Sequence, residues 1–204
     1  MDDSAADPEY YVHAGSMALA LTIDDGPSAD YTPQVLSILR QYGVTATFFM
    51  VGSNVDQYPD VARQVHDEGH LIGNHTWSHV DLGTLSADQT RDEIQRTSDI
   101  IAQVTDGTSP TLFRAPGGYF THAAMAVCGD LGLAPISWSV DPEDWSNPGT
   151  SAIVDRVLSN ATTGSIILNH DGLGDRSQTV SALQTYLPQL IDSGYQFVLP
   201  DPAR

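Results

Sequence analysis

The most chemically loaded stretch of the chain is Asn74-His75-Thr76-Trp77-Ser78-His79, with two histidines four residues apart. On a helix or a tight turn that spacing brings both imidazoles to one side, where they can hold one metal ion. Two imidazoles are an incomplete set for an ion that activates water. A carboxylate is needed, and one position must stay open. Asp24-Asp25-Gly26-Pro27 offers two carboxylates. Adjacent residues at a strand end point in different directions, so one Asp is free to ligate while its neighbour faces the water. Taken singly, each segment has a plainer explanation: two surface histidines, and a strand-to-loop turn made of good turn residues. Taken together, after neighbouring strands, they read as a metal site. Hydrolysis there also needs a base and an acid. Asp24 fits the base and His170 the acid. Asp141 is the candidate carboxylate to hold His170 protonated and in one tautomer. Arg114 is the cation that would fix Asp24 and keep it ionised.

Something must bring these distant residues together, and the apolar pattern says what. Short apolar runs alternate with longer amphipathic ones. Strands are expected over 17–23, 46–51, 71–73, 111–114, 134–140, 165–169 and 196–199. Helices are expected over 32–42, with Thr32 as N-cap, Pro33 at the first helical position and Gly43 as the stop, and over 60–68, 121–131, 151–159 and 179–193. Ser86-Ala87-Asp88-Gln89 has the form of a capping box opening another, with Ile94, Thr97, Ile101 and Val104 on one face. Such alternation predicts an α/β fold: a parallel sheet covered by helices, in about seven βα units. A barrel and an open doubly wound sheet both satisfy it. Both put a site at the carboxyl ends of the strands. Asp24 and Asp25 follow the first strand, His75 and His79 the third, and Arg114, Asp141 and His170 end the fourth, fifth and sixth.

Five segments, in order, resemble the motifs of the polysaccharide deacetylases, carbohydrate esterase family four (the NodB-homology domain). They are Leu21-Thr22-Ile23-Asp24-Asp25-Gly26-Pro27, the His75–His79 segment, Phe113-Arg114-Ala115-Pro116-Gly117-Gly118, Asp141-Pro142-Glu143-Asp144-Trp145 and Leu168-Asn169-His170. The resemblance runs from about residue 18 to residue 199. It implies a distorted (β/α) barrel and metal-dependent removal of acetyl groups from glycans. Asp25, His75 and His79 would hold one divalent ion, usually zinc and sometimes cobalt or nickel. Asp24 would be the base, His170 the acid, Arg114 would orient Asp24, and Asp141 would tune His170. Trp145 and Leu168 would form the pocket for the acetyl methyl, and the Gly117 amide would help bind the oxyanion. One departure touches the groove: the family usually has an aromatic after Pro116, where this chain has Gly117, and Tyr119 is the candidate to replace that surface. Ile23, where Phe is common, is expected to be a packing change. The implied substrates are polymers of N-acetylglucosamine (chitin, its oligosaccharides or peptidoglycan). The same machinery on an O-acetyl ester would be an acetylxylan esterase. A glycan-binding module without catalysis is a third possibility, and it would need none of these acids and histidines.

Composition bounds the rest. The 204 residues have a formal net charge of -18, and the 8 basic residues are all Arg. A chain so acidic, with no basic patch, repels nucleic acid and anionic lipid. The lack of Lys excludes Schiff-base chemistry. Cys128 is the single cysteine, so no intramolecular disulfide and no thiolate zinc site are possible, and its apolar neighbours predict a core position. No apolar run approaches the ~20 residues of a membrane span. Met1-Asp2-Asp3-Ser4 has neither the basic start nor the apolar stretch of a leader peptide. We expect residues 1–17 to be an N-terminal extension and 18–204 one catalytic domain. We also expect a monomer, working as a secreted or cell-wall enzyme on an acetylated glycan.

Overall fold

The computed structural model describes residues 7–201. The Met1–Ser4 start and part of the expected extension lie outside the described residues. The elements run β1 (Ala18–Asp24), α1 (Thr32–Tyr42), β2 (Thr47–Met50), α2 (Gly52–Gln57), α3 (Pro59–Asp67), β3 (Leu71–Asn74), α4 (Ala87–Val104), β4 (Leu112–Phe113), α5 (His122–Leu131), β5 (Ala134–Pro135), α6 (Thr150–Asn160), β6 (Ile166–His170), α7 (Ser177–Asp192) and β7 (Gln196–Phe197). Every strand pairing is parallel, in the order β5-β4-β3-β2-β1-β6, with β7 on the first residues of β1.

Period-two alternation sorts each strand into two faces. On β1, Leu19, Leu21 and Ile23 pack outward into the main core with helix residues such as Val35, Leu39, Leu183 and Leu187. The alternate residues face the inside of a curled sheet. There Ala20 meets Phe49, Leu112, Ile136 and Ile166 from four other segments, with Val12 beneath. β1 is buried along its whole length, as a central parallel strand must be. The same alternation brings Thr22 and then Asp24 up the inner face toward the carboxyl end.

The run expected as one strand over 134–140 divides. Ala134 and Pro135 pair with β4, whereas Val140 bridges Ile167 of β6. The amide of Leu168 donates to the Val140 carbonyl at 2.9 Å. One short run therefore serves both edges of the sheet and draws them together, which is the distortion of the (β/α) barrel. The chain before β1 joins in. Glu9 bridges Ile136, Tyr11 bridges Ser165, and Val12 is buried, so residues 9–12 are paired with the sheet at its amino end.

Two local expectations change. Thr32 does not cap α1: Tyr31 holds that position without a side-chain bond. The Thr32 hydroxyl instead donates to the buried Asp171 carboxyl at 2.6 Å and accepts from the Ser28 amide at 2.8 Å. Helix α2 is additional. Its sequence, Gly-Ser-Asn-Val-Asp-Gln, lacks an apolar period. Its first amides, on Gly52 and Ser53, donate to the carbonyls of Thr76 and Trp77 at 2.9 and 3.0 Å, which satisfies donors that a helix start leaves open. The capping box at Ser86 and Gln89 forms as expected, and Thr121 caps α5.

Candidate metal centre and its flanking acid and base

Asp25 follows the last residue of β1 with φ at +76°, a left-handed conformation uncommon outside glycine. Its amide donates to Phe49 O, and its carbonyl accepts from Asn54 Nδ2. Thr76 and His79 also have positive φ, +66° and +55°. Such conformations cost on the order of 1–3 kcal/mol each and persist where surrounding structure enforces them. Here they turn three side chains inward. Asp25 Oδ1 lies 3.1 Å from His79 Nε2 and 3.5 Å from His75 Nε2. Among the described residues these three form the one group of potential ligands that converges, all within 4.8 Å.

The donor set tests whether a cation belongs there. His75 Nδ1 is 2.7 Å from the Arg114 carbonyl, which can only accept. That bond places the proton on Nδ1 and leaves the Nε2 lone pair facing Asp25, the tautomer a metal ligand requires. Asp25 Oδ1 is buried and lacks a hydrogen-bond donor. An orphaned carboxylate oxygen aimed at two ring nitrogens fits a divalent ion. Burial opposes ionisation of Asp25, but the adjacent imidazoles outweigh it and hold its carboxyl well below the usual range. For His79, burial works against the proton and the Asp25 carboxylate more than compensates, so its pKa is raised.

Asp24 turns the other way. Its Oδ1 accepts from Arg114 Nη1 at 2.7 Å, and its Oδ2 is 3.8 Å from His75 Nε2. Arg114 is 0 % exposed. Besides Asp24 it donates to Thr22 Oγ1, Ile136 O and Ser137 O, and its guanidinium stacks 4.2 Å from the Phe49 ring centre. One carboxylate oxygen is thus pinned and ion-paired while the other is left toward the centre.

His170 enters from β6, register-paired with Asp24. Its carboxylate partner is Asp144, not the expected Asp141. Asp144 Oδ1 is 2.7 Å from His170 Nδ1, and its Oδ2 accepts from the His170 amide and from Thr179 Oγ1. Asp141 is exposed and turns its carboxylate to the Glu143 amide, a local turn bond. The geometry follows from the short helical turn Asp144–Ser146, which carries Asp144 to 0 % exposure and back under β6. Burial lowers the pKa of His170, and the Asp144 carboxylate overcomes this and raises it to about 9. In sequence, three acids within four residues of Trp145 marked the segment. Picking the right one required the fold.

The remaining expected residues line the same end of the barrel. Trp145 is 54 % exposed beside Asp144, and Leu168 is buried on β6. The Gly117 amide has no acceptor among the described residues, whereas its neighbours Gly118 and Tyr119 donate to Ala115 and Pro116. Gly117 has φ at +62°, and a Cβ there would meet the Tyr119 ring at 2.8 Å. Tyr119, 63 % exposed, therefore lies where a side chain at 117 would stand. Two further residues carry no sequence signal. Arg176 is buried and donates to the carbonyls of Gly172, Leu173 and Trp145, fixing the loop beside His170. Asp171 is fully buried beneath the centre, and burial raises its pKa to about 7.

Comparison with known proteins adds four findings. Residues 12–136 match the family model described as polysaccharide deacetylase. The chain is similar to a peptidoglycan-N-acetylglucosamine deacetylase of Bacillus cereus, 45 % identical over 182 residues, covering 88 % of this chain and 84 % of that protein. It is also similar to a chitooligosaccharide deacetylase of Bradyrhizobium, 38 % identical over 194 residues, covering 90 % and 89 %. Among solved structures, it superposes on a peptidoglycan N-acetylglucosamine deacetylase in complex with a naphthalenyl N-oxidanyl-benzamide. The TM-score is 0.89 at 34 % identity, covering 93 % of this chain and 88 % of that one.

Proposed function

The chain belongs to the polysaccharide deacetylase family, carbohydrate esterase family four, and we propose that it hydrolyses the N-acetyl amides of N-acetylglucosamine polymers. The observation that carries this reading is the buried, donor-free Asp25 oxygen facing two imidazole nitrogens, with a paired carboxylate on one side and a raised-pKa histidine on the other. A glycan-binding module would need neither the stripped carboxylate nor the paired histidine.

Asp25, His75 and His79 would hold the ion, with zinc the first choice for two nitrogens and one oxygen and cobalt or nickel alternatives. When bound, such an ion supplies Lewis acidity to the acetyl carbonyl and acidifies a water. The chain's own residues do the rest. Asp24 Oδ2 takes a proton from the attacking water as its oxygen bonds to the acetyl carbon. Arg114, holding Oδ1, fixes the direction of that transfer. The oxyanion that forms is met by the Gly117 amide. His170, kept protonated by Asp144, gives its proton to the departing nitrogen through Nε2. The C–N bond breaks, leaving acetate and a free amine. Leu168 and Trp145 offer the apolar wall for the acetyl methyl, and Tyr119 a platform for the adjoining sugar in place of the aromatic absent at 117.

The named activities of the relatives support a site of action outside the cytoplasm, on wall or extracellular glycan. Among the described residues no helix is long and apolar enough to cross a membrane. The test is acetate release from N-acetylchitooligosaccharides, peptidoglycan and acetylxylan side by side, with EDTA and with zinc or cobalt restored. Release from one of the first two substrates, lost on chelation and regained with metal, is expected. Release from acetylxylan alone would make the chain an ester hydrolase, and activity indifferent to EDTA would end the metal reading.

A further inference from the structure

His79 is the most exposed of the three converging side chains, and it sits in a left-handed conformation that a β-carbon disfavours. Its loop has no regular structure of its own to enforce that shape. The neighbouring helix α4 makes contacts along it. Glu93 Oε2 accepts from the Ser78 amide and Oε1 from the Ser78 hydroxyl, both at 2.8 Å. One turn along α4, the Arg96 guanidinium stacks 3.6 Å from the Trp77 ring centre. At the start of the loop, Asn74 Nδ2 donates to Ile94 O and Ser98 Oγ. The residue immediately before His79 is thus gripped at two atoms by one carboxylate, and both bonds are charge-assisted.

We propose that Glu93 is a positioning residue of the metal centre, whose two-point grip on Ser78 holds His79 in the conformation that turns Nε2 to Asp25. The inference rests on the reading of Asp25, His75 and His79 as ligands. Glu93 touches none of the three, and its role is to remove the cost of arranging His79 when the ion binds. Groups that hydrogen-bond a ligand directly alter metal affinity by about 10- to 100-fold when removed, and Glu93, one residue further out, belongs at the lower end of that range.

The experiment is a zinc titration of the whole chain against a chromophoric chelator, repeated with cobalt and read by its visible absorption. Glu93→Ala is expected to raise the zinc Kd by about tenfold or more and to change the cobalt spectrum. Alanine suits an α-helix, so the helix itself persists. Ser78→Ala keeps the amide bond and loses one of two contacts. A smaller weakening is expected, with little added when it is combined with Glu93→Ala. Asp92→Ala removes an equal charge from the adjacent exposed position of α4 and is expected to leave both ions' Kd unchanged. A wild-type chain that takes up neither ion overturns the ligand reading and the grip with it. A wild type that binds while Glu93→Ala binds as tightly overturns the grip alone. So does an Asp92→Ala variant weakened as much as Glu93→Ala.

Discussion

At the residue scale, the acid side of the site turns on a choice between two aspartates three positions apart. Asp144 is buried against His170, and Asp141 faces solvent. The sign of the effect is fixed by the raised pKa. His170 is protonated at neutral pH and gives up its proton as pH rises through about 9. Asp144→Asn removes the carboxylate that offsets burial, so the alkaline limb of the kcat profile should move to lower pH and activity at neutral pH should fall by about 10-fold or more. Asp141→Asn should leave that limb in place. A pH–rate profile of the two variants decides, and the reverse pattern would restore the expected pair. That Asp24, Asp25, His75, His79, Arg114 and His170 would meet was legible in the sequence, because strand ends announce themselves and these side chains have few bland reasons to share one edge. Asp144 was not, because the short helical turn that buries it has no period to detect.

At the element scale, what the sequence showed plainly were long amphipathic helices and apolar strands, since both carry a period. The Ser86 capping box of α4 is one such signal, and it forms. This helix carries Glu93, Arg96 and the acceptors of Asn74, so its middle turns are tied to the loop bearing His75 and His79. Ser86→Ala should cost about 1 kcal/mol of stability. That corresponds to a fall of ~2–4 °C in Tm for a chain of this size, measured by calorimetry. Unchanged melting would mean that the cap is not used in solution. Illegible elements are those defined by partners. Helix α2 starts where it does because its amides meet the carbonyls of Thr76 and Trp77. The run 134–140 divides because its two ends serve different strands. No local pattern of residues encodes either choice.

At the scale of the whole molecule, the acidic excess takes on a second meaning. The net charge of -18 disfavours anions on the whole, and the centre gathers the Asp24 and Asp25 carboxylates and two imidazoles in one place. Without an ion, the buried Asp25 Oδ1 faces only the two imidazole nitrogens, so an ion that binds the folded chain alone should stabilise it. Zinc at 100 times its Kd should contribute about 2.7 kcal/mol by mass action and raise Tm, with EDTA reversing the rise. An unmoved melting curve at saturating zinc would argue against the centre.

Arg114 gives that centre an uneven genetics. Its guanidinium sets Asp24, but the group that sets His75 is its peptide carbonyl. Every amino acid has that carbonyl. A library of replacements at position 114 can therefore erase the bond that orients Asp24 while keeping a carbonyl for His75 Nδ1. The two supports share one codon, yet only one of them can be lost by changing it.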